Sequence, residues 1–85
     1  MTFEEIGDRV EVMALFPAGG GLKLLKIRWR QRVVKVKRSI SQRKERVGDL
    51  DRMIHVVQGD TGDVYELGFY PERQEWVLLR VGMEG

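Results

Sequence analysis

The sequence predicts a single all-β domain, a small antiparallel meander of five to six strands curled into a barrel-like or strongly twisted sheet. Apolar and polar residues alternate with a period of two over most of the 85 residues. Turn-forming residues interrupt this alternation at intervals of about eight to twelve residues. The chain has the length of one domain and contains no cysteine, so disulfides, Cys-ligated zinc and thiol catalysis are excluded.

The first predicted elements are a short helical turn and a strand. Thr2 and Glu5 have the spacing of a capping box, which favours a helical turn at the start. Residues 9–16 are predicted as the first strand, with Phe16 among its inward-facing side chains. The segment 17–21 is rich in glycine and is interpreted as a hairpin connection. No Gly-Lys-Ser/Thr sequence follows it, so it does not match a phosphate-binding loop.

Residues 22–30 and 33–40 are predicted to form a β-hairpin with one apolar and one basic face. The turn is Gln31-Arg32, or a four-residue loop that keeps the same pairing. In this register like charges lie opposite each other, in the pairs Arg28–Lys35 and Lys26–Lys37. A slip of one residue would place lysines beside buried apolar side chains, so the hydrophobic pattern favours this register.

The second half of the chain predicts three more strands. Residues 41–50 form a polar connection with a turn at Gly48-Asp49. The strands are separated by the 59–63 loop and the 71–74 turn, and they cover residues 51–58, 64–70 and 75–81. The predicted core consists of Val10, Val12, Phe16, Leu25, Ile27, Trp29, Val34, Val36, Ile54, Val56, Tyr65, Leu67, Trp76 and Leu78.

Charge is strongly segregated along the chain. Residues 23–46 hold eleven of the fifteen Lys and Arg residues and one acid, although the whole chain has a formal charge of only +2. A basic block of this kind is typical of a surface that binds a polyanion, and nucleic acid is the obvious one. We therefore predict a non-enzymatic module that contacts nucleic-acid phosphates through Lys26, Arg28, Arg30, Arg32, Lys35, Lys37, Arg43, Lys44 and Arg46.

Other interpretations of the same residues remain open at this stage. The basic face is either solvated or neutralised by acids such as Glu66, Glu72 and Glu75. A protein–protein interaction domain or homodimer, with the basic hairpin of one copy against the acidic 60–75 region of another, is the main alternative function. We expect little sequence specificity, because Trp29 is predicted to face the core rather than to stack on bases.

Enzymatic activity is the least supported class. His55 is the only histidine, and it is expected to be a hydrogen-bonded structural residue inside a strand. No metal, cofactor, membrane contact or small-molecule substrate is inferred. A cytoplasmic setting is expected.

Three short motifs resemble a known family. The segments 27–36 (IRWRQRVVKV) and 57–67 (VQGDTGDVYEL) are similar to its patterns W-R-G-R-x-Y-x-V and V-x-T-x-x-G-x-x-Y-E-L, and Trp76-Val77-Leu78 resembles its closing W-x-L. This is a small bacterial domain family of uncharacterised function, found alone and as a tail on Y-family DNA polymerase-like proteins. Gln31 stands where the family has a turn glycine. The resemblance implies a compact β domain and an association with DNA repair, and it assigns no catalytic residue.

Overall fold

Six antiparallel strands form a closed barrel in chain order. The computed structural model describes residues 1–83. Its strands are β1 (Thr2–Leu15), β2 (Lys23–Trp29), β3 (Arg32–Val47), β4 (Leu50–Gly59), β5 (Val64–Tyr70) and β6 (Glu75–Met83). Each strand pairs with the next, and β1 pairs with β6 to close the barrel. The predicted all-β, barrel-like meander is confirmed. Residues 1–83 contain no helix that could cross a membrane.

The two longest strands, β1 and β3, each belong to two parts of the barrel. The end of β1 and the start of β3 flank β2, which gives a three-stranded sheet. The first part of β1 pairs with β6, and the second part of β3 pairs with β4, which gives a five-stranded sheet with β5 at its centre. The barrel core lies between these two sheets, so within the barrel successive side chains of a strand point alternately to the core and to the outer surface.

The predicted helical turn at the start of the chain is wrong. Residues 2–6 belong to β1, whose pairing with β6 shifts register between Glu5 and Asp8. Gly7 has a φ of 77° within this irregularity. A positive φ is unfavourable for residues other than glycine, so Gly7 allows the bulge that bends β1. The backbone of residues 2–5 pairs with β6 instead of forming the hydrogen bonds of a helical turn.

The β2–β3 hairpin has a different turn from the predicted one. Arg30 and Gln31 form the turn, with positive φ values of 50° and 64°, as in a type I′ turn. Lys26 therefore lies opposite Lys35, and Arg28 opposite Val33. The predicted pairs were offset by two residues. Because side chains alternate with a period of two, this offset leaves residues 26–29 and 33–35 on their predicted faces.

Residues 41–47 continue β3 as a strand and are not a connection. They pair with β4 up to Val47 and Leu50, and the Gly48-Asp49 turn between these two residues is confirmed. The β4–β5 pairing reaches only Met53 and Phe69, so the ends of β3 and β4 project beyond β5 as a two-stranded ribbon. Neither face of this ribbon forms part of the core, which explains its polar sequence.

The buried core agrees with much of the predicted set. The residues Ile27, Val34, Tyr65, Leu67 and Leu78 all belong to the buried core cluster. Ile54 is also buried, but it lies outside this cluster, on the outer face of β4. Two predictions are off by one position, since Leu24 and Val57 are the buried residues and not Leu25 and Val56. A register shift between Met13 and Ala14, opposite the start of β2, accounts for the change at Leu24. Phe16 was placed in the core wrongly; it follows the end of β1 and is 80% exposed.

Candidate nucleic-acid interface

Four cations lie close together in sequence along β2 and β3, three of them on the outer face of the paired hairpin and the fourth, Lys37, at the adjoining bulge of β3. Lys26 and Arg28 flank the buried Ile27 on β2, and Lys35 and Lys37 alternate with inward-facing valines on β3. All four are exposed. None of them forms an ion pair with any residue among 1–83. We call this group the cationic face: Lys26, Arg28, Lys35 and Lys37.

The cationic face contains a pair of like charges directly opposite each other. Lys26 and Lys35 are cross-strand partners, so their Cβ atoms are separated by about 5 Å. Such a pair destabilises a sheet by about 0.2–1 kcal/mol. The cost is small because both side chains are solvated, but folding alone gains nothing from it. A bound anion would remove the repulsion.

Three of the nine predicted contact residues are already paired with acids of the chain itself. Arg30 Nε lies 3.1 Å from Asp8 Oδ2, and Arg46 Nη1 lies 3.5 Å from Asp51 Oδ1. Arg43 contacts both Glu45 and Glu66, at 3.6 Å and 3.7 Å. These exposed pairs are individually weak. They nevertheless lower the net positive charge around each arginine, so these three differ from the cationic face.

The two remaining predicted contact residues, Arg32 and Lys44, form no ion pair within residues 1–83, but they lie outside the cationic face. Arg32 is the cross-strand partner of Trp29, so it has the inward parity of Val34 and lies at the hairpin end of β3. Lys44 lies opposite Met53, on the side of the ribbon that continues the barrel interior. The basic track that was predicted to run on through residues 43–46 is therefore distributed over both sides of the ribbon.

A shallow depression adjoins the cationic face on β1. It has a volume of about 520 Å³ and is bordered by Lys26, Arg28, Met13 and Val33. Met13 and Val33 are 57% and 58% exposed, although both are apolar. Glu11, the cross-strand partner of Arg28, lies at the same surface. Sequence analysis missed the β1 residues, because nothing in the sequence gives the register of β1 against β2.

Trp29 is unavailable as a platform for stacked bases. Its indole packs against the core, and Nε1 donates a hydrogen bond of 2.9 Å to Asp8 Oδ2. The guanidinium of Arg30 covers the ring, 4.7 Å from its centroid. The Trp29 hydrogen bond and the neighbouring Arg30 charge lower the pKa of Asp8, so its carboxylate stays ionised and holds both groups. The predicted inward orientation of Trp29 is confirmed.

The aromatic side chain beside Pro71 is not freely exposed. Tyr70 is half-buried, and its hydroxyl accepts a hydrogen bond of 3.0 Å from Arg52 Nη1. Phe16 and Phe3 are more exposed, and the Phe3 ring is covered on one face by Arg80. No aromatic side chain lines the depression beside the cationic face.

A second charged cluster lies on the outer surface of the five-stranded sheet, and most of its charged side chains are paired with one another. Arg52 binds Glu45, and the Arg80 Nε donates to Glu66 Oε2 at 2.8 Å. The Arg52 guanidinium is the main cause of a lowered pKa at Glu45. Arg43 contacts both acids and joins the two pairs. Glu66 is thus neutralised by arginines outside the cationic face, and this network is structural.

His55 is buried as expected, but it is not hydrogen-bonded as expected. Neither ring nitrogen has a partner among residues 1–83. Burial lowers the pKa of His55, so its ring is neutral at neutral pH. Within the same residues, no cluster of His, Asp and Glu side chains has the arrangement of a metal site.

In comparisons with known proteins, no family model, no curated protein and no solved structure matches the chain. The resemblance to the bacterial β-domain family therefore remains a prediction from its short motifs.

Proposed function

We propose that this protein is a non-enzymatic nucleic-acid-binding module that contacts phosphates through its cationic face. The observation that carries the proposal is that Lys26, Arg28 and Lys35 lie on one face of the paired β2–β3 hairpin, with Lys37 two residues further along β3. None of the four forms an ion pair with the described residues. An association with DNA repair rests on the family resemblance alone.

The spacing of the cationic face suits consecutive phosphates of one strand. Residues two apart along β2 or β3 are separated by about 7 Å, and the strands themselves by about 5 Å. Four ammonium or guanidinium groups within this small area can contact several neighbouring phosphates. Binding would release the counterions condensed on these phosphates, which makes the affinity depend steeply on salt.

Sequence specificity is expected to be low. The surface offers neither an exposed aromatic platform nor a helix for the major groove, and Met13 and Val33 can make only apolar contacts. The module would therefore position a polyanion through phosphate contacts.

The test is fluorescence anisotropy with labelled single- and double-stranded DNA and RNA of equal length. Wild type is compared with the double variant Lys26→Gln/Lys35→Gln, which should weaken binding by at least about tenfold at low salt. The matched control is Arg46→Gln/Arg73→Gln. It removes the same charge from two arginines that contact Asp51 and Glu75 and lie outside the cationic face. Binding by the control should remain close to that of wild type.

The same samples distinguish the homodimer alternative. Two acids of the 60–75 region, Glu66 and Glu75, are already paired with arginines of their own chain, which leaves fewer charges for a partner copy. Sedimentation at low and high salt reports any charge-driven dimer. A salt-sensitive dimer together with no binding to any of the four nucleic acids would refute the proposed function.

A further inference from the structure

A cavity of about 460 Å³ opens at the barrel end that carries the β1–β2 connection and the β5–β6 turn. Its apolar lining consists of Phe16, Leu22, Met53, Phe69 and Pro71. The two polar side chains in the lining are Gln42 and His55, and no charged side chain contributes. Its volume is in the range of pockets that bind small molecules, and barrel mouths are common sites for them.

His55 is one of the residues that line this cavity, and both of its ring nitrogens are buried. The residue is 1% exposed, and it lies on the barrel side of β4 with its ring centroid 5.3 Å from that of Trp76. Neither Nδ1 nor Nε2 has a hydrogen-bond partner among residues 1–83. Buried polar side chains nearly always have a partner, so an unpartnered imidazole at the end of a cavity indicates a group supplied from outside the chain.

The residues that line the cavity limit which ligands can bind in it. A charged ligand would lose its hydration with no opposite charge to replace it, so the ligand is neutral. A neutral imidazole has one donor and one acceptor nitrogen, and a hydroxyl can both donate and accept. A hydroxyl therefore satisfies His55 in either tautomer.

The rim of the cavity favours an aromatic ligand. Phe16 is 80% exposed, next to a glycine-rich connection, and Met53 and Phe69 are cross-strand partners on β4 and β5. Aromatic rings and thioethers make favourable contacts with a bound ring. A bound ring would also cover Phe16, whose exposure is otherwise unfavourable.

We propose that this cavity binds a small neutral aromatic alcohol of the phenol class, with its hydroxyl hydrogen-bonded to His55 and its ring between Phe16, Met53 and Phe69. The site lies apart from the cationic face and does not depend on nucleic-acid binding.

The experiment uses para-ethylphenol as the probe and ethylbenzene as the analogue that lacks the hydroxyl. Because His55 is the only histidine, its imidazole nitrogen NMR shifts report contact at this residue alone. Para-ethylphenol is expected to shift the imidazole signals with a Kd on the order of 1 mM. Ethylbenzene is expected to bind at least about tenfold more weakly, because it leaves the imidazole without a partner.

Three variants complete the test. His55→Leu should remove the preference for para-ethylphenol over ethylbenzene, measured by amide shifts. Phe16→Ala should weaken both compounds, whereas Phe3→Ala, which truncates an exposed aromatic residue outside the cavity, should change neither. The proposal is overturned if wild type binds neither compound, if it binds both equally, or if Phe3→Ala weakens binding as much as Phe16→Ala. The comparisons on wild type and the two Phe variants are decisive even if His55→Leu does not fold.

Discussion

Replacement of Lys35 by glutamine should change stability and nucleic-acid binding in opposite directions. Lys35 lies directly opposite Lys26 and has no acidic partner among residues 1–83. Removal of its charge relieves a cross-strand repulsion, so the free energy of unfolding should rise by about 0.2–1 kcal/mol. The same change removes one of the four cations proposed to contact phosphate.

The expected effect on binding follows from counterion release. Four phosphate contacts on duplex DNA predict a slope of about −3.6 for the logarithm of the binding constant against the logarithm of salt, and three contacts predict about −2.7. Between about 50 and 200 mM salt, wild type should lose about 150-fold in affinity and Lys35→Gln about 40-fold. The variant should also bind more weakly at the lower salt concentration.

The assays are a salt series by fluorescence anisotropy and urea unfolding at fixed salt. Lys44→Gln is the matched control, since Lys44 is an exposed lysine on the same strand but lies outside the cationic face. Its slope should equal that of wild type. The reasoning is refuted if Lys35→Gln leaves the slope unchanged, or if both lysine variants reduce it equally, which would indicate an effect of net charge rather than of this surface.

Three further predictions concern the fold. Gly59→Ala should lower the free energy of unfolding by about 1–3 kcal/mol, because the added Cβ would lie 2.7 Å from Val34 Cγ1 and 2.9 Å from Tyr65 Cε2; an unchanged urea midpoint would contradict this contact. Gln31→Gly should raise the free energy of unfolding by about 0.5–1 kcal/mol, because Gln31 has a φ of 64° that glycine adopts without strain, and a loss of stability would argue against the type I′ turn. Burial lowers the pKa of His55 from 6.5, so on acidification the unfolded chain binds a proton at this residue before the folded chain does. The free energy of unfolding should therefore fall as the pH drops below about 6.5, and it should level off below the lowered pKa. His55→Leu should lose this component, and an identical pH profile in wild type and variant would show that another group is responsible.

The sequence was sufficient to predict strands wherever one face is buried. Residues 64–70 were predicted with the same bounds as β5, because Tyr65, Leu67 and Phe69 alternate with Glu66 and Gly68 along this segment. The β2–β3 hairpin shows why the faces are easier to predict than the pairing. An offset of two residues costs no burial, so the pattern cannot detect it, and only the turn geometry of Arg30 and Gln31 determines it.

Other parts of the fold leave no periodic signal. Residues 45–47 lie on the part of β3 that projects beyond β5, where neither face packs in the core and no alternation is required. The bulges near Gly7 and opposite Leu24 change which residues of the strand face the core. Neither bulge has a distinctive sequence pattern.

The candidate site could be predicted only in part for a similar reason. Alternation along β2 and β3 placed the cations outward, since it depends on neighbours two residues apart. It could not show which cations are already paired, because pairs such as Arg43–Glu66 join distant strands. The missing partner of His55 likewise depends on everything that packs around the ring, and no local pattern reports it.

The most direct test of the cationic face is the mapping of backbone amide shifts during titration with a short single-stranded oligonucleotide. The largest changes should fall on residues 26–28 and 33–37, with smaller ones at Met13 across β1. Changes centred on the ribbon at residues 45–52, or no changes at low salt, would contradict phosphate contact at this surface.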